Sequence, residues 1–202
     1  MEQQQIMERV KEMLLTYGIK SISMDDISRD LGISKKTLYL YVTNKNDLVQ
    51  KTMENHLAKE KEALSAITAE STDAIQEMFT IADHIRQHIR SMKHSVLYDL
   101  QKYYPDSWQL YIDYKNNFVY NVIYNNIEKG IQQGLYRDDF NIDIITKIYN
   151  TRMETLIDPS VFPPSGYGLL EVHKELLSYH LRGIVSQKGL HYLDQQKNEN
   201  ED

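Results

Sequence analysis

Apolar residues recur three and four positions apart along this chain, with polar residues filling the arcs between them. That period predicts helices. Ile6, Val10, Met13 and Leu14 place a first helix over about Gln4–Tyr17, stopped by Gly18. Met24, Ile27 and Leu31 give a short second one. Ser23 suits its N-cap, Asp26 stands three residues on as in a capping box, and Gly32 supplies the positive φ that ends a helix sharply. Ser34 can cap a third helix over 35–41, with Leu38 and Val42 inside. A fourth begins at Lys45 behind an Asn44 cap and carries Leu48, Val49, Met53 and Leu57 to about Ile67.

The same spacing continues over 72–91, on to Tyr104, from Pro105 to Gln133 with Gly134 as its stop, over 141–156 and over 169–187. Three of the four prolines fall in 157–168, which reads as a semi-rigid loop. No stretch alternates as a strand would. The fold class is therefore all-α, about nine helices. A three-helix N-terminal domain with a helix-turn-helix spans 1–47, a larger helical body spans 48–187, and the polar tail 188–202 is expected to fray.

Composition narrows the class. The 202 residues are 41% hydrophobic and 26% charged, ordinary for a soluble protein. The absence of cysteine excludes disulfides and thiolate zinc sites, and suits a cytoplasmic location. No secretory signal and no run of about 18 apolar residues occurs, so no membrane span is expected. The net charge of −6 is unevenly spread. Residues 1–55 hold eight basic and eight acidic side chains, so the excess acid lies beyond them.

Between Leu31 and Asn46 there are three lysines and no acid. That local reversal of sign is what a polyanion requires of a docking surface. Lys35, Lys36 and Thr37 open the third helix, at the end of a recognition helix that meets base edges. Tyr39, Tyr41 and Lys45 bring hydroxyls and an ammonium where phosphates would lie, and Ser23, Ser28 and Ser34 offer further hydroxyls.

The ordered run Ile27, Leu31, Gly32, Ile33, Ser34, Thr37, Leu38, Tyr39, Tyr41, Lys45, Leu48 resembles the DNA-binding domain of the TetR family of transcriptional regulators. The likeness is strong over about the first 55 residues and architectural beyond them. It implies a repressor that binds a palindromic double-stranded operator as a homodimer and is released by a small-molecule effector. Asp25 departs from the pattern, because some members carry a basic, DNA-contacting residue after the position of Met24. That leaves more of the base reading to Lys35 and Lys36.

Two-fold pairing would match two half-sites. The apolar arcs of the last two helices, with Ile144 and Ile148 on one and Leu176, Leu177, Leu181 and Ile184 on the other, are the candidates for a four-helix interface. The alternative is that both arcs are internal core. For the effector, Phe79, His84, Tyr98, Trp108 and Tyr111 supply rings with polar tips, as do Tyr114, Phe118 and Tyr149, with Met153 beside them. Aromatic stripes at helical spacing more often simply fill a core.

Two rival functions are set against this one. A metal-dependent enzyme could use His84 and His88, four apart on a helix, with His94 nearby. Yet no Glu follows His84, and no nucleophile elbow or phosphate-cradling loop appears. A protein-binding helical adaptor would explain the acidic body but not the lysines and tyrosines gathered on one short helix. Neither cofactor nor metal is called for.

Overall fold

The computed structural model describes residues 3–91, 95–158, 160–163 and 165–199. In chain order the helices are α1 (Gln3–Tyr17), α2 (Met24–Asp30), α3 (Lys35–Leu38), α4 (Lys45–Glu70), α5 (Ala74–Ser91), α6 (Ser95–Tyr103) and α7 (Pro105–Asp113). A π-helical turn (Tyr114–Val119) follows, then α8 (Tyr120–Gln132), α9 (Ile142–Ile157), α10 (Leu169–Ile184) and α11 (Gln187–Glu199). No strand is formed among the described residues. Tyr136 and Val185 make an isolated antiparallel bridge.

Packing divides the chain into two compact units, 1–62 with 91–114 and 63–90 with 115–202. These cuts fall elsewhere than the functional boundary expected at residue 47, because α6 and α7 pack in the same unit as the first three helices. In the first unit Ile6, Val10, Ile27, Leu38 and Leu48 are fully buried, the residues whose spacing announced the helices. Both components of the expected capping box at α2 are present, Ser23 accepting from the Asp26 amide and Asp26 from the Ser23 amide. Asn44 caps α4 by accepting from the Asp47 amide at 3.0 Å.

In the second unit, Ile75, Met78, Ile123, Ile127, Leu156 and Leu181 form the core. The single helix expected from Pro105 to Gln133 is interrupted by the π turn. A π turn opens the backbone ladder, and Asn150 Nδ2 donates to the Lys115 carbonyl at 3.0 Å. Buried Lys115 is ion-paired with Glu154.

The stretch expected to fray instead forms α11. Leu193 is buried, the Tyr192 hydroxyl donates to Asp73 at 3.1 Å, and Lys188 donates to the Gln133 carbonyl at 2.9 Å. Leu193 is the one large apolar side chain buried there among the described residues, too little for periodicity to reveal.

Candidate nucleic-acid interface

The helix-turn-helix is built from two short helices about one glycine. Gly32 sits at φ +65°, and the Ile33 amide closes the turn on the Ser28 carbonyl at 3.1 Å. A side chain at 32 would meet nothing within 4 Å, so the demand for glycine there is conformational, not spatial. Ser34 caps α3 by accepting from the Thr37 amide at 3.0 Å. Leu38 and Val42 are buried and hold the element down, as expected. The helix proper ends at Leu38, three residues early. The Leu40 and Tyr41 amides bond to the Thr37 and Leu38 carbonyls, a 3₁₀-type tightening of the last turn.

Several expected contacts stand on the open face. Lys36 and Tyr39 are exposed. Thr37 is half-buried, its hydroxyl 2.7 Å from that of Ser34, so both are held in place. Ser34 and Ser23 are exposed, with the Ser23 hydroxyl donating to Asp26 at 2.6 Å. Tyr41 is half-buried. Lys35 is exposed but pairs with Asp25 at 2.9 Å, which raises the ammonium pKa through that hydrogen bond. Asp25 thus occupies a cation expected at the base edges.

Two residues are placed otherwise than expected. Ser28 is buried and its hydroxyl donates to the Met24 carbonyl at 2.5 Å, one turn back, so it faces the interior of the domain. Lys45 is half-buried. Its ammonium donates to the Ile19 carbonyl at 2.6 Å and to the Ile22 carbonyl, and burial depresses its pKa. It braces the turn before α2, because the carbonyls after Gly18 have no helical partners and a cation satisfies two at once. Two contributors went unnoticed in the sequence. Leu40 is 78% exposed beside Tyr39. Lys51 reaches back to the Tyr41 carbonyl at 2.8 Å and to Asp47 at 3.1 Å, tying the end of the recognition segment to α4. Leu40 could have been noticed as an apolar residue between the inward Leu38 and Val42; Lys51 carried no local signal.

The residues expected at a dimer interface separate into two sets. Ile144 and Ile148 on α9 are 52% and 62% exposed, and Leu176 on α10 is half-buried. Leu177, Leu181 and Ile184 are buried within the monomer, so for them the internal-core alternative holds. They lie four and three apart on the inward face of α10, whereas Leu170 and Tyr179 turn outward.

The effector candidates are divided between the units. Tyr98, Trp108, Tyr111 and Tyr114 belong to the first, and Phe79, His84, Phe118 and Tyr149 to the second. Tyr98 is 48% exposed and its hydroxyl accepts from Lys102 at 2.8 Å, a surface arrangement. Trp108 and Tyr111 stack at 5.1 Å, and burial pushes the Tyr114 hydroxyl pKa up. Phe79 and Phe118 are half-buried. Tyr149 is buried, with the Arg152 guanidinium 3.8 Å from its ring and the His180 ring at 4.1 Å. The Met153 side chain and His94 lie outside the described residues. Within α5 the half-buried rings of His84 and His88 are 4.6 Å apart, and His88 Nδ1 lies 2.9 Å from the His84 carbonyl.

Comparison with known proteins agrees with this geometry. Residues 6–52 match the family model described as bacterial regulatory proteins, tetR family. An uncharacterized HTH-type transcriptional regulator of Bacillus subtilis, YvaF, is 30% identical over 89 residues, 44% of this chain. The match spans about half of that relative's length, 47%. Among solved structures, a putative transcriptional regulator from Saccharomonospora viridis in complex with choline superposes with a TM-score of 0.74 at 17% identity, covering 92% of this chain and 98% of that one. The transcriptional regulator FadR from Bacillus subtilis, in complex with stearoyl-CoA, gives 0.61 at 16% identity, covering 91% and 100%. At these identities the structural likeness establishes the fold.

Proposed function

We propose, from a first domain that belongs to the tetR family of bacterial regulatory proteins across residues 6–52, that this chain is a DNA-binding transcriptional regulator responsive to a small molecule. The observation that carries this reading is α3. It is a capped helix pinned by one buried leucine, with Lys36, Tyr39 and Leu40 turned to solvent in a stretch without acids. Lys36 and Thr37 read base edges in the major groove, and Tyr39 and Tyr41 hold phosphates. Lys35 joins them once it leaves Asp25.

The protein acts as a homodimer on a palindromic operator and represses by occupying it, with the effector favouring the conformation that releases DNA. The exposed Ile144 and Ile148 support pairing through α9 and α10, since an apolar stripe on a helix face is otherwise costly to leave wet. No helix among the described residues is long and apolar enough to cross a membrane, in keeping with a cytoplasmic regulator. The adaptor alternative leaves the α3 surface unexplained.

Two relatives bind chemically different molecules, choline in one and stearoyl-CoA in the other, so the fold does not dictate the effector. Selection of bound duplexes from a random pool, followed by gel-shift titration at two salt concentrations, tests the proposal. A selected site of two inverted half-sites with salt-dependent affinity is the expected result. Failure to retain any duplex at low ionic strength overturns it.

A further inference from the structure

The fold gains little from Leu40. Its side chain is 78% exposed, the most open of the large aliphatic side chains among the described residues, ahead of Ile148 at 62%. Single exposed apolar residues are common on protein surfaces and by themselves mean little. What sets Leu40 apart is where it stands.

The helical winding of α3 carries on past its last residue. The Leu38 amide bonds to the Ser34 carbonyl at 3.0 Å, and one turn later the Val42 amide bonds to the Leu38 carbonyl at 3.3 Å. Leu38 and Val42, 0% and 2% exposed, therefore mark the inward line of this segment. Leu40 lies midway between them in sequence, roughly half a turn round, and so on the outward line. Lys36, four residues before it, lies on that same line and is exposed too. The outermost ridge of the segment is a lysine followed one turn later by a leucine.

Around this ridge the chain is polar and basic. From Leu31 to Asn46 there are three lysines and no acid, with Tyr39 exposed and Thr37 half-buried on either flank of the ridge. Such a face suits a polyanion, whereas a second copy of it would set lysine against lysine. An apolar side chain on its crest needs apolar surface on that polyanion, and a duplex offers little. Phosphates and most base-edge groups in the major groove are donors and acceptors that a leucine cannot satisfy, so covering them with it would desolvate them without return. The exception at the base edges is the 5-methyl group of thymine. Deoxyribose carbons are apolar too, but they are the same at every position, so contact with them leaves no base preference.

We infer that Leu40 is a specificity-determining residue, packing its side chain against a thymine 5-methyl group in the major groove, so that each half-site carries a preferred T·A pair there. This inference rests on the reading of α3 as a recognition helix and names the base feature that one of its residues reads. Lys36 supplies hydrogen bonds to a base edge, and Leu40 supplies an apolar contact about 6 Å further along the helix axis.

The test uses the full chain and the duplex it selects from a random pool, with each thymine replaced in turn by uracil in both half-sites. Uracil keeps every hydrogen-bonding group of thymine and its pairing with adenine, and lacks only the methyl. At one thymine per half-site the exchange should weaken wild-type binding about tenfold in all, since a buried methyl is worth roughly fourfold at each. Leu40→Ser should bind the thymine and uracil duplexes within about twofold of each other, having no apolar surface to place there. Leu40→Met, still apolar, should keep the preference. Both variants should melt with the wild type, because the side chain is 78% exposed. If no thymine of the selected duplex is sensitive to the exchange, or if Leu40→Ser keeps the wild-type preference, the inference is overturned and the leucine meets sugar or solvent alone. In either case the wild type still retains its duplex, so the DNA-binding proposal stands. If no duplex is retained at low ionic strength, both fall.

Discussion

Lys45 reaches back 26 residues to hold Ile19: its ammonium donates to the Ile19 carbonyl at 2.6 Å, and a second bond runs to Ile22. The sequence places this lysine among phosphate ligands, but the fold spends it on the turn between α1 and α2. Lys45→Met should therefore act first on stability, lowering it by about 1–3 kcal/mol through two charge-assisted hydrogen bonds. In duplex titrations under conditions where the variant is folded, the dependence of log K on log salt should match that of the wild type. A slope shallower by one unit per half-site would return Lys45 to the phosphate contacts.

On the proposed reading, Asp25 competes with DNA for Lys35. The pair is exposed on both sides and contributes little to folding. Asp25→Asn frees the cation and removes an acid from the docking face. Affinity for duplex should rise roughly two- to tenfold with a steeper salt dependence, and the melting temperature should barely move. Unchanged affinity would mean that Lys35 stays away from the duplex.

Gly32 isolates a backbone effect. Because an added Cβ meets nothing, Gly32→Ala differs from the wild type only in the cost of φ +65°, and Gly32→Val adds the cost of β-branching to it. Destabilisation of about 1 kcal/mol is expected for alanine and more for β-branched valine, read from the shift in denaturant midpoint. Two variants as stable as the wild type would show that this turn relaxes freely.

His173 and His180 tie stability to pH. Their folded pKa values, about 4 and about 3, lie below the 6.5 of an unperturbed histidine, so the unfolded chain binds protons first as pH falls. Their contribution is intact above pH 6.5 and is lost as acid approaches the folded values. The loss is steepest below 6.5, up to about 1.4 kcal/mol per pH unit for each ring. Between about pH 6.5 and 5, where carboxylates are still largely ionised, replacing both rings by phenylalanine should flatten the profile. Equal slopes in variant and wild type would place both protonations elsewhere.

Ile148 and Leu181 should behave oppositely. Ile148 is 62% exposed, so Ile148→Asp should leave the subunit folded and lower its mass in sedimentation to that of a monomer. Leu181 is 1% exposed, and Leu181→Ala should cost about 2–5 kcal/mol of stability as a core cavity. A dimeric Ile148→Asp variant would remove this stripe from the interface.

The sequence was most legible where local rules act alone. Ser23, Gly18 and Gly32 announced their caps and stops, and the buried leucines and isoleucines announced their faces. Burial of Ser28 and the bracing by Lys45 were not legible, because each depends on where a distant or preceding carbonyl ends up. Periodicity likewise marked the apolar arc of α10 without telling which part a neighbour covers, so Leu177, Leu181 and Ile184 went to the wrong surface. The π turn at Tyr114–Val119 and the α11 helix were missed for a related reason. One keeps the helical period almost intact, and the other is secured chiefly by polar bonds to Asp73 and Gln133.

The Lys20 amide donates to Asp99 on α6 at 3.3 Å, one residue from the carbonyl that Lys45 holds. The connection between the first two helices is thus clasped from α6 as well as from α4. A fragment ending near residue 55 would keep every side chain proposed to face DNA yet lose half of that clasp. Domain-swapped chimaeras that transplant only the reader would need α6 carried along with it.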